Sequence, residues 1–189
     1  MTAIQIQYKQ FEPVDFDGVI KLGNIVHGAN YLDTQSTQAL YDSSFKNGIN
    51  SSFVAYDGDE LVGFRLTQSA EQWDIDRWCS PNQWQLETAQ VCYFKSNTVN
   101  ADYRGHGIGS TLLMLSIEQA KLQGAKAGLA HIWMSSPGNS AFKYFKKCGG
   151  ELIKEHPDRW ADWFESRGYV CPVCGEDCDC VASEMIIRF

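Results

Sequence analysis

The sequence predicts an α/β (α+β) fold, and three observations carry that expectation. Short stretches with strand-like apolar alternation recur along the chain, stretches with helical apolar spacing fall between them, and a glycine-rich connection joins the longest predicted strand to the best predicted helix. At 189 residues and 44% apolar content the chain buries one substantial core, so residues 1–189 are expected to form a single domain.

The elements follow in order. Ile4 and Ile6 alternate with glutamines as a short first strand, and residues 15–29 place Phe16, Val19, Ile20, Gly23 and Val26 at near-helical spacing. A second helix is expected over 37–47. Strands at 52–55 and 61–66 flank Asp57-Gly58-Asp59, a hairpin signal because Asp-Gly tolerates the positive φ of a tight turn. Residues 68–85 carry Trp73, Trp78 and Trp84 with few aliphatics and read as a long functional loop or lid. The next strand spans 91–99. The helix over 108–123 sets Ile108, Leu112, Leu115 and Leu122 on one face and ends at Gly124. A buried strand at 129–134, a loop over 135–139 and a helix over 140–148 stopped by Gly149-Gly150 come next. After a strand at 151–154, an acidic tryptophan-containing segment and a cysteine cluster lead to a closing strand at 182–189.

The glycine-rich connection is Tyr103-Arg104-Gly105-His106-Gly107-Ile108-Gly109-Ser110. Its three glycines let the backbone approach a ligand closely, and the first turn of the following helix offers unpaired N–H groups with a partial positive charge, so anionic oxygens belong there. The spacing is not that of the dinucleotide fingerprint, and no Gly-Lys-Ser/Thr follows as in a nucleotide P-loop. With a β-rich run before it and a helix after it, Arg104-x-x-Gly107-x-Gly109 resembles the acyl-CoA pyrophosphate loop of the GNAT superfamily of N-acetyltransferases. The order β-α-α-β-β-β-α-β-α-β-β resembles that family along nearly the whole chain.

The resemblance implies a mixed, mostly antiparallel central sheet flanked by helices, with two central strands splayed into a slot for the pantetheine arm of acetyl-CoA. It implies that backbone groups at Asn97, Thr98 and Val99 pair with the pantetheine, and that N–H groups from Arg104 through Gly105, His106, Gly107, Ile108 and Gly109 to Ser110 bind the pyrophosphate. Val99 stands five residues before Arg104, where the family has a hydrophobic residue. The implied activity is transfer of acetyl from acetyl-CoA to a primary amine by direct attack in a ternary complex.

Such attack needs a neutral amine and benefits from a proton donor to the departing thiolate. The family often has a glutamate nine residues ahead of the loop arginine; here that position is Lys95, and no carboxylate occurs between Glu87 and Asp102. Glu87, acting through an ordered water or a shifted strand, is the candidate base. The family's tyrosine position falls on Phe145, and the neighbouring Tyr144 is the candidate acid. Asn139 lies one position off the family's usual asparagine and is retained as a cofactor contact. A second reading, supported by the missing glutamate and offset tyrosine, is a zinc-stabilised acyl-CoA-binding interaction or sensing module with little transferase activity.

Cys171-Pro172-Val173-Cys174-Gly175 has the form of a zinc knuckle, and Cys178 and Cys180 bring the cluster over 171–180 to four thiols. Four thiolates suit a closed, structural Zn²⁺ site, with an iron–sulfur cluster, a redox pair and unliganded thiols as the alternatives. The N-terminal residues have no export-signal pattern, so a cytoplasmic, reducing setting is expected. The net charge of −7 argues against a nucleic-acid partner, and no long apolar run argues for a membrane. Expected partners are a small-molecule or protein amine acceptor and, as an option, a second copy of the chain. Six Lys/Arg against two carboxylates over 101–150 suit a polyanionic donor.

Overall fold

A computed structural model describes residues 5–189. Ile4 therefore lies outside the described residues, and the first strand, β1, spans Ile6–Gln10. Helix α1 follows at Phe16–His27, with Phe16, Val19 and Gly23 of the expected positions buried and Leu22 buried beside them. Helix α2 covers Thr34–Ser43 rather than 37–47. Two local causes move it: Asp33 caps the helix by accepting from Ser36 N–H at 2.7 Å, and Asn47 and Gly48, both at positive φ, turn a small hairpin between β2 (Phe45–Lys46) and β3 (Ile49–Asn50).

Strands β4 (Phe53–Asp57) and β5 (Glu60–Gln68) form the predicted hairpin. After β6 (Val91–Val99) come α3 (Ile108–Leu122), β7 (Ala127–Trp133), α4 (Ser140–Lys147), β8 (Glu151–His156), a one-turn helix α5 (Trp163–Arg167) and β9 (Ala182–Arg188). Seven strands make one sheet in the order β1-β4-β5-β6-β7-β9-β8, and every pairing is antiparallel except β6 with β7. Helices α1 and α2 cover Phe64 and Leu66 on one face, while α3 and α4 cover Cys92, Phe94 and Met185 on the other.

Residues 69–90 are not a lid. Trp84 is fully buried against Val91, Leu129 and Ile186, its indole N–H donates to Glu184 at 2.8 Å, and Trp73 donates to the Val91 carbonyl at 2.9 Å. This loop is a packed cover over the closed end of β6 and β7, where Trp73 and Trp84 supply the core that aliphatics supply elsewhere. No helix among the described residues is long and apolar enough to cross a membrane.

Candidate active site and cysteine cluster

The parallel pair that places the site is short. β6 and β7 pair only through Val91–Ala127, Cys92–Gly128 and Tyr93–Leu129, after which β6 stays with β5 and β7 stays with β9. The two strands diverge into a slot that opens a cavity of about 460 Å³, reaching from the glycine loop past both faces of the sheet. A bulge at the mouth of the divergence reinforces it: Leu66 pairs with Ser96 and Thr67 with Phe94, so Lys95 is the extra residue.

One end of the cavity is the glycine loop. Gly105 and Gly107 lie at φ +84° and +78°, and a Cβ built on either meets only open space. The space in front of the loop is thus shaped for backbone to face a ligand. Gly109, in contrast, is helical, and its smallness serves the approach of α3 to β6, since a Cβ there would lie 3.1 Å from Asn97 Nδ2. Thr111 N–H makes the first helical bond, to the Gly107 carbonyl at 3.0 Å, so the amides of Ile108, Gly109 and Ser110 are free of helical partners. Arg104 Nε donates to the Val99 carbonyl at 3.3 Å, and Arg104 and Lys147 both line this end. His106 is exposed.

On β6 the alternation of the ladder divides the predicted cofactor contacts. Asn100 N–H donates to the Val62 carbonyl at 2.8 Å, so by the two-residue period Thr98 also bonds back to β5, while Asn97 and Val99 turn main-chain groups toward the slot. The Thr98 hydroxyl is instead 2.8 Å from His27 Nε2 on α1. Burial, with Arg104 nearby, lowers the His27 pKa to about 4 and keeps the ring neutral. Asn139 stands at the N-terminus of α4 with φ +53°, and its buried Oδ1 has no partner among the described residues.

Tyr144 lines the slot on the α4 side, and its hydroxyl accepts a hydrogen bond from Arg65 Nη2. Arg65 is 2% exposed, lies over the Phe94 ring at 4.8 Å, and has neither a salt bridge nor a partner for Nε or Nη1 among the described residues. Burial raises the Tyr144 pKa and the Arg65 charge counters that rise. Phe145, the family's tyrosine position, is fully buried in the core behind it. Glu87 is exposed ahead of β6, at the closed end of the strand pair, and does not line the cavity. The route for the amine proton therefore has no geometric support through Glu87.

The opposite face of the slot holds groups that the sequence reading did not assign. Tyr93 hydroxyl lies 2.9 Å from His131 Nδ1, and His131 Nε2 lies 2.6 Å from the Trp78 carbonyl, so Nε2 carries the proton and Nδ1 accepts from the tyrosine. Burial, then the charge of Arg159, lowers the His131 pKa to about 4. Behind it His156, 5% exposed, pairs with the buried Glu184 at 2.9 Å. Burial works to raise the Glu184 pKa, but hydrogen bonds from His156, Trp84 and Ser80 outweigh it and lower the value. Lys95 lies 5.4 Å over the Trp163 ring, and desolvation together with Arg159 and Arg167 lowers its pKa to about 8. The available signals were a lone arginine in an apolar strand (Leu61-Val62-Gly63-Phe64-Arg65-Leu66) and a lone histidine in another (Leu129-Ala130-His131-Ile132).

The cysteine cluster closes beside this end. Sulfur separations are 3.7 Å for Cys171–Cys174, 3.8 Å for Cys171–Cys180 and 3.2 Å for Cys174–Cys180, and the four sulfurs, Cys178 included, lie within 4.8 Å of one another. A tetrahedral metal with bonds of about 2.3 Å needs sulfurs about 3.8 Å apart, so the set fits zinc. Mutual 2.9 Å bonds between Cys171 and Gly175 close the knuckle. The segment that holds it is stitched to the α1–α2 connection: Val170 N–H donates to Ala29 O, Tyr169 hydroxyl to His27 O, Arg167 to Tyr31 O and Asn30 Nδ2 to Gly168 O.

Comparison with known proteins agrees with this architecture. Over 66 residues the chain is 30% identical to an uncharacterized N-acetyltransferase of Methanocaldococcus jannaschii, a stretch that is 35% of this chain and spans only 28% of that relative's length. In fold it is similar to Ard1 from Thermoplasma volcanium (TM-score 0.68, 15% identity, 97% of each chain). It is also similar to a Bacillus subtilis acetyltransferase solved in complex with CoA (TM-score 0.64, 16% identity, 98% of this chain and 99% of that one). The acetyltransferase (GNAT) family model matches residues 22–150, which include β6 and β7, the glycine loop and Tyr144, and the chain belongs to that family.

Proposed function

We propose that the protein transfers an acetyl group from acetyl-CoA to the amine of an acceptor that enters the slot opposite the glycine loop. The observation that carries this reading is the splay of β6 from β7 beyond Tyr93–Leu129, which joins an anion-binding loop at one end to a separate polar and aromatic chamber at the other. The loop amides with Arg104 and Lys147 hold the phosphates, and Asn97 and Val99 offer main-chain groups to the arm. The acceptor nitrogen attacks the thioester carbonyl, the C–S bond breaks, an amide forms, and CoA leaves as a thiol after protonation by Tyr144, which solvent reprotonates.

Arg65 serves Tyr144 in this step. Its unpaired buried charge favours negative charge developing at the phenol and at the sulfur, in a site where little water screens it. On the acceptor side no carboxylate lines the cavity, so the charges of Lys95 and Arg159 favour the neutral form of the bound amine and its proton leaves to water. The Tyr93 hydroxyl, its own proton committed to His131, accepts a hydrogen bond from that amine and orients it. The four cysteines hold one structural zinc that braces the segment over the chamber, in a cytoplasmic setting that keeps them reduced.

The test is amine-dependent release of CoA thiol from acetyl-CoA, with the N-acetylated product identified by mass spectrometry. Acetyl-CoA binding without turnover across a broad amine panel would instead establish a binding module.

A further inference from the structure

The chamber opposite the glycine loop is lined by cations and by no carboxylate of the described residues. Arg159 is 11% exposed; its Nη1 reaches only the half-exposed Asp76, at a loose 3.5 Å, and its Nε is buried without a partner. Lys95 stands on the bulge at the mouth of the slot with no salt bridge among the described residues, facing the Trp163 ring. No Asp or Glu lines the cavity. Two cations met only in part by one half-exposed carboxylate, with a buried donor unmet, favour a further anion.

The shape of the chamber limits what that can be. The segment holding the cysteine knuckle and the α1–α2 connection both line it, and the two are joined by the bonds from Val170, Tyr169, Arg167 and Asn30. Joined in this way, the two segments form one continuous wall of the chamber. Its inner walls are aromatic, Tyr31 on one segment and Trp160 and Trp163 on the other.

We infer that the acceptor is a small amine bearing a carboxylate, its anion held by Arg159 and Lys95 and its apolar body lying between Tyr31 and Trp163. The inference rests on the transferase reading above and names its substrate class. An amino acid has this chemistry, with the amine and the carboxylate on one carbon.

Matched pairs test it. Initial rates of thiol release are measured for L-phenylalanine against phenethylamine and for L-leucine against 3-methylbutylamine, each expressed per unit of neutral amine. A charge-assisted hydrogen bond to the carboxylate predicts kcat/KM at least about tenfold higher for the carboxylated member. Arg159→Gln should collapse that ratio to within about threefold of one, with acetyl-CoA affinity retained, and Arg159→Lys should restore part of it. A ratio at or below one in the unmodified protein, or a ratio untouched by Arg159→Gln, overturns the assignment and leaves the transferase reading standing. Should Arg159→Gln fail to fold, Lys95→Met takes its place: a fall in the ratio supports the site and an unchanged ratio overturns it. Acetyl-CoA binding with no thiol release from any amine overturns the transferase reading and the inference together.

Discussion

Removing one hydroxyl, in Tyr144→Phe, separates the chemistry of this site from its packing. Among the described residues Arg65 Nη2 gives its one hydrogen bond to that hydroxyl, and Nε and Nη1 are already without partners in a 2% exposed side chain. The substitution therefore strands a buried guanidinium, at a cost of about 2 kcal/mol, the scale of a hydrogen bond to a charged group. For a chain of this size that is a fall in Tm of about 4–8 °C. The loss of a positioned acid costs about 10²-fold in kcat, the lower end of the range because a thiolate is a good leaving group, or about 2.7 kcal/mol in the barrier. Acetyl-CoA affinity should not change, since the hydroxyl acts mainly as charge develops on sulfur. Adding Arg65→Leu to Tyr144→Phe removes the stranded charge and should recover most of the lost Tm while leaving kcat low. The assays are thermal unfolding, calorimetry with acetyl-CoA and thiol release under saturating conditions where chemistry limits turnover. Unchanged kcat for Tyr144→Phe would refute the acid role, and an unchanged Tm would refute the dependence of Arg65 on the phenol.

Three further outcomes follow from the geometry. Gly107→Val should abolish acetyl-CoA binding in calorimetry with a modest loss of stability, because the added side chain enters the open space before the loop and φ +78° strains a β-branched residue. Metal analysis should find one zinc per chain. Its chelation should raise the KM of the acceptor more than that of acetyl-CoA, because the knuckle braces the chamber wall and not the loop; thiols that titrate freely in metal-free protein of unchanged Tm would refute the site. Stability should fall with acid: His27 and His131 have folded pKa values of about 4 against an ordinary 6.5. The unfolded chain thus takes up protons that the folded one refuses as pH drops from 6.5 toward 4, which costs about 2 kcal/mol per ring at pH 5. Denaturant titrations from pH 7.5 to 5 should show the loss, and His27→Gln should remove about half of it.

Much of the site was legible because its physics is local. Positive φ at Gly105 and Gly107, a free helix N-terminus and the strand before it are set by neighbours in the chain, and the sequence reading placed all of them. Where a local competitor was overlooked the reading slipped: Asn47-Gly48 ends α2 early, and Trp73 and Trp84 are core rather than lid. Glu87 was reached by counting carboxylates along the chain, a measure blind to which end of β6 opens. Arg65, Tyr93, His131 and Arg159 were missed as a group, since they come from β5, β6, β7 and the segment after β8 and meet only across the sheet.

By itself the sequence determined the element types, the glycine cradle and the cysteine spacing, because capping, turn conformation and hydrophobic period act over a few residues. Tertiary structure alone decided that β6 and β7 part after three paired residues, that a bulge aims Lys95 into the gap, and that Arg65 meets Tyr144 79 positions away. It also decided that the segment holding the knuckle is bonded to the α1–α2 connection beside the slot. Those outcomes depend on strand order and on which buried charges find partners, and both are properties of the packed whole.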